Sequence, residues 1–428
     1  MVIHDRPTDS RGRSTLLCGM NRWLREIGYA MLILWGVVTA VFFLFNLAPG
    51  DPVRNLVGEN ASAETVENIR RKYDLDLSLM HRYGLYLNDL SPLSLYGNTS
   101  ESRPQYSAEE HGGYALTWGE KVLVVKWPYL KRSFLSDKPV ADLLMEAMPG
   151  TMLLALVSIL FSLLMGIPMG IAATLSKDSI TDRILLVLSS LGMAGPSFFV
   201  AMLVAWLGAV LWRDEILVGY HWLILLIGAI TLHYFKNGFI QQHARLLMGA
   251  VFAIPLMQYI LGITLPCMHL PGTGLNMTGS LYAVDVWQGE YLCLQNLILP
   301  VVTLMVRPLA VIVQLTRSSM LEVMKQDYIR TAKAKGLTTR SIILRHALPN
   351  AINPVITAVS GWLASLLAGA VFVEFVFGWK GLGQQMFNAI ENRDLPVVMG
   401  GVIVIGFVFV TINFCVDRIY QWIDPRIQ

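Results

Sequence analysis

The chain has 428 residues, 54% of them hydrophobic and only 15% charged, with a mean hydropathy of +0.52. Soluble domains carry about 25% charged residues, so this balance excludes an ordinary soluble domain and points to a membrane protein. A net charge of +3 provides no global field to attract nucleic acid, and Cys18, Cys267, Cys293 and Cys415 show neither the C-x-x-C nor the Cys/His spacing of a metal site.

Residues 1–26 form a polar tail carrying Arg6, Arg11, Arg13, Arg22 and Arg25. The apolar run that follows, 27–47, is long enough to span and is closed by no small-x-small cleavage site, which predicts a retained first transmembrane helix. APGDPV stops it as a Pro/Gly turn and opens a long outer segment, 48–146. Within that segment SAETVENIRRKYDL predicts a short helix with Ser62 as N-cap and Glu64 in its first turn, whereas 92–127 shows no clear period.

Further apolar runs of spanning length follow at 147–175, 184–212, 216–235, 246–265, 295–316, 350–373 and 397–416. None alternates with period two, so they predict helices and not barrel strands. The fold class is therefore an all-α integral membrane protein, a polytopic helical bundle, with its transmembrane domain over 147–416 and a second tail at 417–428. Lys and Arg in the short connections place 1–26, 176–183, 236–245, 317–349 and 417–428 on the cytoplasmic side. The remaining connections, 48–146, 213–215, 266–294 and 374–396, fall outside.

The stretch YIRTAKAKGLTTRSIILRHALPNAINPV, 328–355, concentrates cations between two apolar runs. Over 317–345 there are Arg317, Lys325, Arg330, Lys333, Lys335, Arg340 and Arg345, against Glu322 and Asp327. Leu321, Met324, Tyr328 and Ala332 recur at helical spacing as one apolar stripe. Gly336 can end that helix in the left-handed conformation, and Thr338 or Thr339 can cap a second one running through SIILRHAL to Pro349. The prediction is helix, glycine corner, helix at the cytoplasmic surface, kept narrow by Thr331, Ala332 and Ala334. A basic amphipathic helix resting on anionic headgroups would carry the same charges.

Arg307, followed by Pro308, sits mid-run in LILPVVTLMVRPLAVIVQLTR, where a charge facing lipid is costly. It either faces a translocation path and attracts a substrate carboxylate or carbonyl, or pairs with a neighbouring helix or snorkels. No G-x-x-x-x-G-K-[ST] phosphate loop occurs; GWKGLG at 378–383 has the wrong spacing. The histidines form no H-x-x-x-H or H-E-x-x-H set, and the tryptophans fall mostly near predicted helix ends.

The spacing of Ala332, Gly336, Leu348 and Pro349 resembles the EAA loop of ABC importer permeases, with Arg330-Thr331-Ala332 in place of the glutamate-alanine-alanine triplet. The missing glutamate fits the dipeptide/oligopeptide branch, which the chain also resembles in PVADLLMEAMPGTMLLAL, GPSFF, LTRSSMLEVMKQDYIRTAKAKGL, FGWKGLGQQMFNAIENRDLPVVMG and the terminal DPRI. Two insertions, 92–127 and 214–265, lie outside the resemblance. It implies a type I permease core of six helices, with an extra helix pair at 214–265, in the bacterial inner membrane with both termini cytoplasmic.

It implies a transport subunit without enzyme activity or cofactor of its own, working with a homologous second permease, two ATPase subunits and an extracytoplasmic substrate-binding protein. The importer would carry peptides or related small solutes. Tyr328, Arg330, Thr331, Ala332, Lys333, Ala334, Gly336, Leu337, Leu348 and Pro349 would form the ATPase-coupling loop. Glu374, Trp379, Lys380, Gly381, Gly383, Glu391, Arg393 and Asp394 would form an outer gate or meet the binding protein. An ion-coupled secondary transporter of small solutes, the alternative, would instead show acidic or broken helices at the midplane and inverted repeats.

Overall fold

The computed structural model describes residues 11–46, 62–97, 112–118, 121–212, 216–219, 267–270, 273–285 and 289–423. The chain divides into two compact units, one of 1–198 with 300–428 and a second of 199–299.

In the first unit, α1 (Arg11–Asn46) is followed by two outer helices, α2 (Ala63–Lys72) and α3 (Leu79–Leu90). The hydroxyl of Ser62 accepts the amide of Thr65, as the sequence predicts, and Glu64 lies in the first turn of α2. The stretch without a clear period folds as an antiparallel sheet of β1 (Leu93–Gly97), β2 (Tyr114–Trp118) and β3 (Lys121–Val125), with β3 in the middle. Its inner face buries Tyr96, Val122 and Val124. The outer face exposes the cross-strand rows Leu93, Val125, Tyr114 and Leu95, Leu123, Leu116.

The long α4 (Val140–Leu175) begins well before its apolar run. It leads to α5 (Ile180–Ala194), whose N-cap Ser179 accepts the amide of Asp182. The apolar run 184–212, expected as one helix, is two: α5 stops at Gly195, which is extended, and α6 (Ser197–Ala205) starts after Pro196. Proline lacks the amide that would continue the ladder and drives the preceding residue out of the helical region.

After 300 the first unit continues along α7 (Gln295–Val323), a short α8 (Asp327–Ala334), α9 (Thr339–Ser341), a π-helical stretch Ile342–Ala347, and α10 (Leu348–Ala351). It ends with α11 (Asn353–Phe377), α12 (Leu382–Glu391) and α13 (Leu395–Ile423). Among the described residues, Gly28–Asn46, Val140–Leu175, Gln295–Val323 and Leu395–Val416 are long and apolar enough to cross a membrane, and α5 with the residues after it passes the test only as a sharply bent pair, a broken span or a re-entrant loop.

Glycine permits close packing where hydrocarbon supplies no hydrophobic drive. A Cβ on Gly166 would lie 2.7 Å from Ile312, and one on Gly170 2.5 Å from Thr316, so α4 and α7 approach through these two positions. Three apolar clusters fix the ends of the bundle. Met320, Ile329, Ala332, Ile342, Ile343, Ala347 and Ala351 pack with Ile171 at one end. Val140 and Leu144 pack with Leu382, Ala389, Val397 and Val398 at the other, where Val41 and Phe42 of α1 also meet Tyr86 of α3 and Met399 of α13.

In the second unit, α6 passes into a π-helical stretch, Trp206–Leu211, followed by β4 (Ile216–Gly219) paired with β5 (Cys267–Leu270), and β6 (Tyr282–Asp285) paired with β7 (Gly289–Leu292). Thr273 closes back on the helix, its hydroxyl donating to the carbonyl of Gly208 at 2.6 Å. The extra helix pair expected within 214–265 lies outside the described residues, except that Ile216–Gly219, placed at the start of its first helix, is a strand.

Candidate functional site

The cationic stretch folds into the predicted elbow. Asp327 in the first turn of α8 and Lys333 in the last complement the helix dipole. Gly336 then takes φ +76°, its amide donating to the carbonyl of Lys333 at 3.0 Å, while that of Leu337 donates to Ala332 at 3.3 Å. These two bonds make the Schellman closure, which satisfies orphan carbonyls with a left-handed glycine. Thr338, extended, starts the return helix by accepting the amide of Ser341, and that helix runs without a break through the π-helical stretch into α10, so Pro349 lies within it and not at its end.

The buried face differs from the predicted stripe by one position. Ile329 and Ala332 are 0% and 5% exposed, whereas Tyr328 is 44% exposed. Ala332 is small because it packs inside the elbow against Ile342, Ile343 and Ala347, not to admit an outside groove. Burying Ile329 alone is worth about 1.5–3 kcal/mol, so the elbow is a packed body and not a loose loop. Its outward face presents Tyr328, Arg330, Thr331, Lys333, Ala334, Lys335, Gly336 and Leu337, with Leu344 and Arg345 from the return segment. Leu348 is half-buried.

Arg317, counted in the sequence among the loop cations, is committed inside the chain. Its guanidinium holds the Asp182 carboxylate through two bonds of 2.6 and 2.7 Å, tying the start of α5 to α7 just before the elbow. Asp182 also accepts the amide of Asp178 at 3.0 Å. The partners lie 135 residues apart, and no local spacing reveals them.

At the opposite end, α11 closes on Gly378 at φ +60°, again with a Schellman pair: Gly378 donates to Phe375 and Trp379 to Glu374. Glu374 is fully buried. It accepts the Thr151 hydroxyl at 2.6 Å and the amides of Gly383 and Gln384 at 2.7 and 3.2 Å. The amide of Leu382 donates to the same Thr151 oxygen at 2.8 Å. Three orphan amides at the start of α12 are thus satisfied by two side chains from α4 and α11.

Such closeness demands glycine. A Cβ on Gly381 would overlap the Glu374 carboxylate, one on Gly383 the Cα of Val371, and one on Gly150 the carbonyl of Lys380. Trp379 is buried and donates from Nε1 to the carbonyl of Gly150 at 3.1 Å. Asp394, also buried, accepts the Ser133 hydroxyl at 2.5 Å and the Phe134 amide at 3.1 Å. Of the outer set named from the sequence, Glu374, Trp379, Gly381, Gly383 and Asp394 are therefore internal, and Lys380, Glu391 and Arg393 are exposed. Of their partners, Gly150 and Thr151 lie within the stretch PVADLLMEAMPGTMLLAL, where nothing points to this role, and Ser133 carries no motif in the sequence.

Arg307 lies on an exposed face of α7, its guanidinium 5.4 Å from the centre of the Trp362 ring on α11. An arginine at the centre of a span costs about 2.5–3.5 kcal/mol on insertion scales, and stacking on a tryptophan offsets part of that.

Among the described residues no group of three or more His, Cys, Asp or Glu could hold a metal. Apolar helices of spanning length, linked by a rigid cationic elbow at one end and a capped corner at the other, define a polytopic membrane permease. The chain belongs to the family of binding-protein-dependent transport system inner membrane components, whose family model covers residues 166–428, with the N-terminal component of the same system covering 20–103.

Curated relatives include the probable D,D-dipeptide transport system permease protein DdpB of Escherichia coli K12, 33% identical over 399 residues, covering 93% of this chain and 94% of that protein. The dipeptide transport system permease protein DppB of the same strain is 30% identical over 408 residues, covering 95% and 98%. A DppB of Alkalihalophilus pseudofirmus is 28% identical over 410 residues, covering 95% and 98%. Among solved structures, the inward-facing methionine ABC transporter MetNI aligns at 18% identity with a TM-score of 0.41 over 66% of this chain and 97% of that one. The chain is a multi-pass inner-membrane transport component, and its relatives are transport permeases, not enzymes.

Proposed function

We propose that the chain is a permease subunit of an ATP-driven importer of peptides or related small solutes, gripped by partner ATPase subunits at the elbow over 327–351. The observation that carries this reading is the elbow itself: a packed core of Ile329 and Ala332 beneath an exposed surface of cations, Tyr328, Leu337 and Leu344. A body held this way transmits a push as a rigid displacement. The dipeptide-permease names of its relatives support the cargo class. The elbow and both termini face the cytoplasm in this reading, as the cation count favours.

The sequence shows no phosphate loop, which leaves ATP hydrolysis to two ATPase subunits and this chain without a cofactor. A homologous second permease completes the path, and an extracytoplasmic binding protein delivers cargo near the exposed Lys380, Glu391 and Arg393. The test is a Leu337→Asp, Leu344→Asp double variant of the assembled transporter. Loss of ATPase co-purification and of uptake, with the permease still inserted and folded, is expected; unchanged coupling would refute the assignment of the elbow.

A further inference from the structure

Resting on the permease reading, we infer that Arg307 is an anion anchor in the translocation path, holding a carboxylate of the solute as it crosses. Arg307 lies twelve residues into the 29-residue α7, about 18 Å from one end and 24 Å from the other, well inside a hydrocarbon core of about 30 Å. It is exposed and makes no ion pair with any described residue. Its guanidinium lies 5.4 Å from the centre of the Trp362 ring, a cation–π contact that uses none of its five N–H donors.

The surroundings are polar where a lipid-facing surface would be apolar. Gln314 and Ser318 follow Arg307 at i+7 and i+11 on one face of α7, with Ser318 exposed. On α11, Thr357, Gly361 and Ser365 repeat at i+4 and are all exposed, flanking Trp362. A Cβ built on Gly361 would meet no atom of this chain within 4 Å, so the chain itself leaves that face of α11 uncovered. Two polar faces joined by a mid-span cation belong against water, not hydrocarbon. A single guanidinium fork suits a monoanionic carboxylate. That carboxylate could come from the cargo or from the second permease; the solute is the one argued for, because exposed polar residues run on along both helices beyond the cation, at Ser318, Thr357 and Ser365, as beside a watered path.

The assembled transporter, with this chain's four cysteines replaced, is reconstituted with Gln314→Cys as reporter and probed with anionic and cationic methanethiosulfonates. Both reagents should react, and Arg307→Gln should lower the anionic-to-cationic rate ratio by about fivefold or more, while Arg307→Lys preserves most of it. An unreactive reporter, or a ratio indifferent to Arg307→Gln, would overturn the inference, the latter meaning that a partner carboxylate already neutralises the charge. In the cysteine-containing transporter, dialanine uptake should fall about tenfold in Arg307→Gln and recover in part in Arg307→Lys, with complex recovery retained. Wild-type uptake rates in Arg307→Gln, or failure of that variant to assemble with the second permease, would also overturn it. If the wild-type transporter ignores dialanine altogether, the peptide reading above fails, and the reagent ratio still decides the anion site.

Discussion

Glu374 illustrates how a buried carboxyl can be structural in a transport protein. Its carboxyl accepts one hydroxyl and two amides at the start of α12, so it is held by hydrogen-bond donors and not by a countercharge. Truncation to alanine would strand those donors in a dry site. Glu374→Ala should destabilise the protein by about 2–4 kcal/mol, seen as a lower unfolding midpoint in detergent, and Glu374→Gln, which keeps an acceptor, by less. Equal stability of all three forms would contradict the capping role. The Asp182–Arg317 pair makes the complementary case of charge against charge. Asp182→Asn leaves a part-buried guanidinium without its partner and should cost about 3 kcal/mol, whereas Lys177→Ala, at an exposed residue 4.0 Å from Asp178, should be nearly neutral in the same assay.

At the level of elements, the elbow was legible because its rules are local. A glycine after a cationic last turn and a threonine two residues on each act within one turn of chain. Since a Cβ on Gly336 meets open space, any cost of replacing it comes from its left-handed backbone alone. Gly336→Asn, which tolerates that conformation, should therefore keep ATPase co-purification, while Gly336→Val should weaken it by about tenfold. Equal loss in both would indicate contact chemistry instead of backbone shape. What escaped the sequence was non-local. The outer sheet has strands of five residues each, too short for a period to stand out, and its central strand is last in sequence. The inward face of α8 was misplaced by one residue because Tyr328 and Ile329 are both apolar enough to serve, and only packing against Ile342 and Ile343 selects the second. The outer residues were found by motif, yet their burial was invisible, since Thr151 and Ser133 precede their partners by 223 and 261 positions.

Across the first unit, the two ends of the bundle are separated by packing alone. Ile171, near the end of α4, joins the elbow cluster, and Val140, at its start, joins the cluster of α12 and α13. The turn at 176–179 and the elbow thus share one side, and the corner around Trp379 lies on the other. Cysteines placed at Lys177 and Lys335 should label from the same side of sealed vesicles, and one at Arg393 from the opposite side; any other pattern would break the proposed orientation. Between the two sides runs α11, continuous from the elbow to the glutamate that caps α12. A rod anchored at both ends has a rotational phase as well as a length. Adding one alanine midway along it would twist one anchorage against the other by about 100°, whereas adding four restores the phase to within about 40° and lengthens the rod by only about 6 Å. The single insertion should therefore be the more damaging of the two.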